Sequence, residues 1–283
     1  MNQHYTPRVL ASLATQLTER DRRLLRLVWT YKALTSQHLT QLLFDNPITA
    51  RHRLAKLHKL GVVDRFRPKP PVGSAPWHYV LGEAGAAVLA QESGADPAEF
   101  GYRRDRALAI AYSQRLAHTI GVNGAFASLS SLARRQPDCS LITWWTEDRC
   151  KATWGKYVRP DAYGRWACDG VTLDFFLEYD NGTETFDRVV NKLGGYASLA
   201  RSSEINTPVL FLTPDERREK SLHTRLRFRA IYPLIPVATA VDTGSPAEAV
   251  WLPTNRAEGR LSLADLATHW PNLGHSPAKE EDA

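Results

Sequence analysis

The stretch from Thr18 to Gln91 is punctuated so closely that few folds can use it. Thr18 starts a helix, with Asp21 three residues on in a weaker form of the capping box. Leu24, Leu25, Val28 and Tyr31 follow as an apolar stripe at helical spacing. A second helix runs from Thr35 to Phe44 and turns Leu39, Leu42 and Leu43 inward. Asn46-Pro47 opens a third helix, a cap followed by proline at the first helical position. Gly61 closes it as a left-handed stop. Val62 to Arg67 alternates like a strand, and Trp77 to Leu81 is a second strand. Between them Pro68 to Pro76 is a loop of prolines and small residues with one lysine. Glu83 to Gln91 makes a short closing helix.

The third helix has two faces. At about 100° per residue, Ala50, Leu54, Leu57 and Gly61 fall on one side. Thr49, His52, Lys56 and Lys59 fall on the other, with Arg51 and Arg53 on the flanks. Such a helix, third in a short-looped unit, suits the DNA major groove, where Arg and Lys meet guanine edges and phosphates. The two strands and their loop form a wing, from which Arg65, Arg67 and Lys69 reach phosphates or the minor groove. This order is that of a winged helix-turn-helix, and the partner it predicts is double-stranded DNA. The alternatives are a protein-interaction winged helix and a solvated basic face with no ligand. Charge favours DNA. Residues 1–95 carry 13 Lys and Arg against 6 Asp and Glu, whereas residues 96–283 carry 23 against 24.

At 283 residues the chain is long enough for two domains. It is 43% hydrophobic and 23% charged, neither a disordered nor a membrane composition. Ala230 to Val241, the most apolar late segment, is broken by Pro233 and Pro236, so no membrane span is expected. The start, MNQHYTPRVL, lacks the apolar core and cleavage site of a signal peptide. Cys139, Cys150 and Cys168 are odd in number and widely spaced. That argues against a disulfide framework or zinc finger and for a reducing, cytoplasmic compartment. The expected organisation is an extension over 1–17, a winged helix over 18–95, an α/β domain over 96–241 and a C-terminal extension over 242–283. The extension should hold one helix, Leu261 to Trp270, and a disordered end.

After a linker at Gly94 to Gly101, Arg103 to Arg135 reads as one long helix, or two broken near Gly121 to Gly124. His118 and Asn123 lie on it, too far apart around the helix to share a site. A packed, hydrogen-bonded role is expected for His118. Three strands follow, at Leu141 to Trp145, Tyr157 to Tyr163 and Val171 to Tyr179. A helix from Asp187 to Arg201 and a buried strand from Pro208 to Thr213 complete an α/β core.

That core puts Asp161 and Glu178 on adjacent strands. Paired carboxylates bind a hard cation such as Mg²⁺ or Mn²⁺, which can activate water on a phosphodiester. Pro160-Asp161, with Glu178 ending the next apolar strand, resembles the PD-(D/E)xK, restriction-endonuclease-like core. That family's pattern has a lysine two residues after the second acid, and here the position holds Asp180. Three outcomes are open. Lys192 reaches back from the following helix, Asp180 is a third metal ligand, or the core is a scaffold without catalysis.

Both halves together resemble the replication-relaxation family of plasmids and integrative elements, over roughly residues 18–215. The segments that carry the resemblance are RDRRLLRLVWTYKALTSQHLTQLLF, RHRLAKLHKLGVVDRF, HYVLGEAG, HTIGVN, VRPDAYG, FFLEYDNGTET and NKLGGY. The resemblance groups Asp161, Glu178, Asp180, Thr183, Glu184, Lys192 and Tyr196. It implies a DNA-binding protein of a mobile element acting in replication or DNA relaxation, and by itself fixes no reaction. The carboxylates leave open a Mg²⁺-dependent nickase or endonuclease, or a non-catalytic replication or transcription regulator or relaxase accessory factor. A relaxase or replication protein and a second copy of the chain are the implied partners. Thr183 is expected to cap the helix after it. Tyr196 is a nucleophile candidate, set against a packing or hydrogen-bonding role.

Overall fold

Thr18, Thr35 and Asn46 start the first helices after the N-terminal one, as their side chains predict. In the computed structural model, Thr18 caps α2 (Glu19–Thr30) and Thr35 caps α3 (Ser36–Leu43), both with reciprocal capping boxes. Asn46 caps α4 (Pro47–Lys59), accepting from the Ile48 and Thr49 amides, and Gly61 takes φ +70° just beyond it. The structure describes residues 7–69, 73–96, 99–203, 206–229, 234–256, 258–270 and 273. Part of the expected N-terminal extension is helical, as α1 (Pro7–Gln16). The disorder expected for the last ten residues lies outside the described ones.

The first of two units spans Met1–Asn123. Strands β1 (Leu34–Thr35), β2 (Val63–Phe66) and β3 (His78–Leu81) pair antiparallel in the order β1-β3-β2. Helix α5 (Glu83–Glu92) follows them. Leu24, Leu25, Leu39, Leu54 and Leu57 are wholly buried between these elements. Each such side chain contributes about 1.5–3 kcal/mol by leaving water. Asn123 donates to the carbonyls of Tyr31 and Ala33 at 3.0 and 2.8 Å. It thereby fixes the turn at Lys32, which sits at φ +65°. The expected long helix is broken, but at Ser113 to Arg115 rather than near Gly121 to Gly124. Helix α6 (Arg104–Ala109) and a 3₁₀ turn precede the break, and α7 (Leu116–Ala133) runs through the glycines.

The second unit spans Gly124–Ala283 and is built on a mixed six-stranded sheet. Its strands are β4 (Cys139–Thr146), β5 (Ala162–Cys168), β6 (Val171–Tyr179), β7 (Val209–Thr213), β8 (Val237–Val241) and β9 (Leu252–Pro253), in that spatial order. β4, β5 and β6 pair antiparallel, whereas β6, β7 and β8 run parallel. Parallel neighbours need crossovers, supplied by α9 (Phe186–Ser203) and α10 (Glu216–Arg229). Helix α8 (Glu147–Trp154) takes up chain expected to lead into a strand, so β5 starts five residues later than Tyr157. The cysteine expectation is also corrected. The antiparallel register sets Cys139 opposite Cys168, and the two form a disulfide, while Cys150 is free and buried. Sequence distance hid a pairing that strand register creates. Helix α11 (Leu263–His269) falls where expected, capped by Ser262. Among the described residues, no helix is long and apolar enough to cross a membrane.

Candidate functional sites: a basic helix and an acid–lysine cluster

In the first unit, burying Ala50, Leu54 and Leu57 fixes which side of α4 meets water. Thr49, Arg51, His52, Lys56 and Lys59 are all exposed on it. Arg53 is not available there. It donates to both carboxylate oxygens of the fully buried Asp21 and to the Gln16 carbonyl. Its place on the flank of the basic face let it turn inward, so it is removed from the nucleic-acid set. On β2 and just past its end, the guanidiniums of Arg65 and Arg67 lie 4.1 and 4.5 Å from the ring centroid of Trp77, the residue before β3. That cation–π stacking holds two positive charges in place at the base of the loop. Lys69 is exposed beside them, and residues 70–72 of the loop lie outside the described ones. Trp77 is a partner that sequence reasoning missed. A tryptophan across from two alternate arginines was the available signal.

In the second unit, strand register brings the two acids together. Ala162 pairs with Leu177, which places Asp161, just before β5, beside Glu178 near the end of β6. Asp161 accepts the Tyr179 amide at 2.8 Å. Helix α9 then packs over them. Lys192 and Tyr196, one turn apart, both donate to Glu178, at 2.5 and 2.6 Å. Lys192 Nζ is also 3.9 Å from Asp161. The close approach of α9 depends on Gly195. A Cβ there would stand 2.6 Å from the Tyr157 carbonyl oxygen. Beneath the cluster lie Trp145, Trp154, Tyr163 and Phe176.

The charges follow from burial. Glu178 is 2% exposed. Burial, then the negative charge of Asp161, pushes its carboxyl up to about 8, against the pull of Lys192 and Tyr196. Burial disfavours the Lys192 ammonium too, but Glu178 and Asp161 outweigh it and hold the lysine above its ordinary range. One cation facing two acids leaves one negative charge in excess, and a proton on Glu178 cancels it. Burial, with Glu178 and Asp161, likewise raises the Cys150 thiol and the Tyr196 phenol.

The other predicted residues lie elsewhere. Asp180 does not join the cluster. Arg218 of α10 grips it with two bonds, at 2.7 and 3.0 Å, and also donates to the Glu184 carbonyl. Arg218 had no sequence signal, because only the β7–α10 crossover brings it back to the end of β6. The Glu184 side chain pairs with Arg188 at 3.4 Å. Thr183 is not the helix cap. Its hydroxyl donates to Asn181, while the Thr185 carbonyl accepts the first amide bonds of α9. His118 is half-buried on α7.

Asp161 and Glu178 offer the oxygen donors that Mg²⁺ or Mn²⁺ takes. As arranged they do not fit such an ion. The Lys192 ammonium stands where a cation bridging both acids would go. Both Glu178 oxygens and one of Asp161 already accept hydrogen bonds. Among the described residues, no group of three His, Cys, Asp or Glu side chains is placed to hold a metal. The positive charge at this spot is the protein's own.

The fold and its sites define a mixed α/β protein with a basic helical face in one unit and a buried acid–lysine cluster in the other. Residues 25–213 match the replication-relaxation family, well over half of the chain, and the chain belongs to that family. Membership points to a role in replication or relaxation of a plasmid or mobile element. No curated protein and no solved structure matches the chain.

Proposed function

We propose that the protein binds duplex DNA of a plasmid or mobile element through a winged helix formed by its first unit. Helix α4 would enter the major groove, and the Arg65–Trp77–Arg67 stack would hold the wing against the backbone. The observation that carries this is the exposed face of α4, where Arg51, His52, Lys56 and Lys59 project opposite three buried apolar residues. Arginine and lysine so placed release counterions from DNA, which makes affinity steeply salt-dependent. The test is titration of origin-derived duplex against salt. Changing Arg51, Lys56 and Lys59 to Ala should weaken binding and flatten the log–log salt slope by roughly 0.9 for each phosphate no longer neutralised. An unchanged slope overturns the docking. A relaxase or replication protein would then meet the chain at the same DNA.

The convergence of Asp161, Glu178 and Lys192 favours a second reading, a centre that nicks DNA. It requires at least that both acids give up their present partners for a metal ion. Nicking of a supercoiled origin plasmid that disappears in the Asp161→Ala, Glu178→Ala double variant, with duplex binding intact, would establish it. Without nicking, the cluster is the electrostatic tie between α9 and the sheet of a regulator.

A further inference from the structure

The near-neutral charge of residues 96–283 is an average that conceals α10. That helix carries six Arg and Lys against two Glu. Glu219 is buried and paired with Arg260, and Arg218 is paired with Asp180. Arg217, Lys220, Arg225, Arg227 and Arg229 are exposed. None of these five has an ion-pair partner among the described residues. Phe228 stands among them at 86% exposure, on a helix that buries Leu222 and Leu226 completely. Beside Phe228 a groove of about 430 Å³ runs between α9 and α10. Asp187, Val190 and Asn191 line one wall, and Arg225, Phe228 and Arg229 the other. Arg225 is held at its edge by the Phe186 ring, 4.2 Å from the guanidinium, and by a 3.0 Å bond to the Ser221 carbonyl.

We propose that this groove binds single-stranded DNA, with a base stacked on Phe228 and the flanking phosphates on Arg225 and Arg229. A duplex keeps its bases stacked on one another, so only an unpaired base can offer its face to a ring. Every base has such a face, and an aromatic platform in a cationic groove therefore grips a strand with little regard for sequence. Asn191 offers a donor and an acceptor, and Asp187 an acceptor, to the edge of the stacked base. An acidic protein segment would satisfy the cations but leave the ring without a planar partner. The site belongs to the second unit, goes beyond duplex docking and stands or falls separately from it.

The experiment uses the full chain carrying Arg51→Ala, Lys56→Ala and Lys59→Ala, which silences the α4 face. A fluorescein-labelled oligothymidylate of about 12 nucleotides, within the usual site size, is titrated by anisotropy. Phe228→Ala should weaken binding by about 5- to 150-fold, the usual cost of removing a base stack. Phe228→Trp should retain it. Arg225→Gln with Arg229→Gln should flatten the salt slope by about 0.7 for each phosphate no longer neutralised. A 2-aminopurine in the strand should be quenched on binding, and Phe228→Ala should abolish the quenching. Undiminished binding by Phe228→Ala overturns the proposal. So does equal competition by polyglutamate without quenching, which would reassign the face to an acidic protein. If silencing α4 by itself removes strand binding, the strand is held by α4, and this proposal fails while duplex docking stands.

Discussion

Two buried carboxyls, Asp21 and Glu178, show how much a single residue's role depends on its partner. Arg53 sits in a basic run, yet it satisfies Asp21, a carboxylate with no exposure that also accepts from Thr18. Burial alone would raise the Asp21 carboxyl, but the Arg53 and Thr18 bonds hold it below its ordinary value. Arg53→Ala leaves that acid unpaired and should cost on the order of 3 kcal/mol in urea unfolding. Its effect on DNA affinity, measured where the chain is folded, should be small beside that of Arg51→Ala. Glu178 gives a pH signature. Folded, it keeps its proton up to about pH 8, and unfolded it releases it near 4.5. Between those limits folding takes up a proton, so stability from this group falls as pH rises. Glu178→Gln should remove that slope in thermal melts from pH 5 to 8. A slope unchanged by the variant would show that Glu178 is ionised in the fold.

At the scale of the elements, helix starts were legible and helix approaches were not. Thr18, Thr35, Asn46 and Ser262 each cap through their own side chains, a local chemistry that needs no tertiary partner. Thr183 is not a cap because α9 begins only at Phe186, which puts Thr185 in the capping position and leaves Thr183 two residues short of it, bonded to Asn181. The adjacent glycines of α9 separate propensity from packing. Gly194 has nothing within 4 Å of a built Cβ, whereas Gly195 would meet Tyr157 and Val158. Gly194→Ala should therefore stabilise by up to about 1 kcal/mol through helix propensity. Gly195→Ala should destabilise by about 1–3 kcal/mol through overpacking and loosen the Lys192 and Tyr196 bonds to Glu178. Chemical denaturation of the two variants checks both signs, and destabilisation by both would mean that α9 is not positioned as described.

Over the whole molecule, the balance of charge decides which chemistry each unit can host. The first unit presents cations to solvent, while the cluster of the second answers its acids with Lys192 and a proton. Mg²⁺ should therefore leave the melting temperature unchanged. An ion bound at 100 times its Kd would add about 2.7 kcal/mol, readily seen by calorimetry. A Mg²⁺ stabilisation that Asp161→Ala abolishes would overturn the misfit. Local pattern alone determined the capped helices, the basic and apolar faces of α4, the two strands after it, and the acids at the ends of apolar runs, because these depend on residues within a turn or two of each other. Only the tertiary structure decided that Cys139 meets Cys168, that Arg53 turns to Asp21, that Asp180 goes to Arg218, and that Lys192 and Tyr196 close on Glu178. Each of those is set by strand register, helix packing or a crossover helix, which choose among partners that spacing along the chain leaves open.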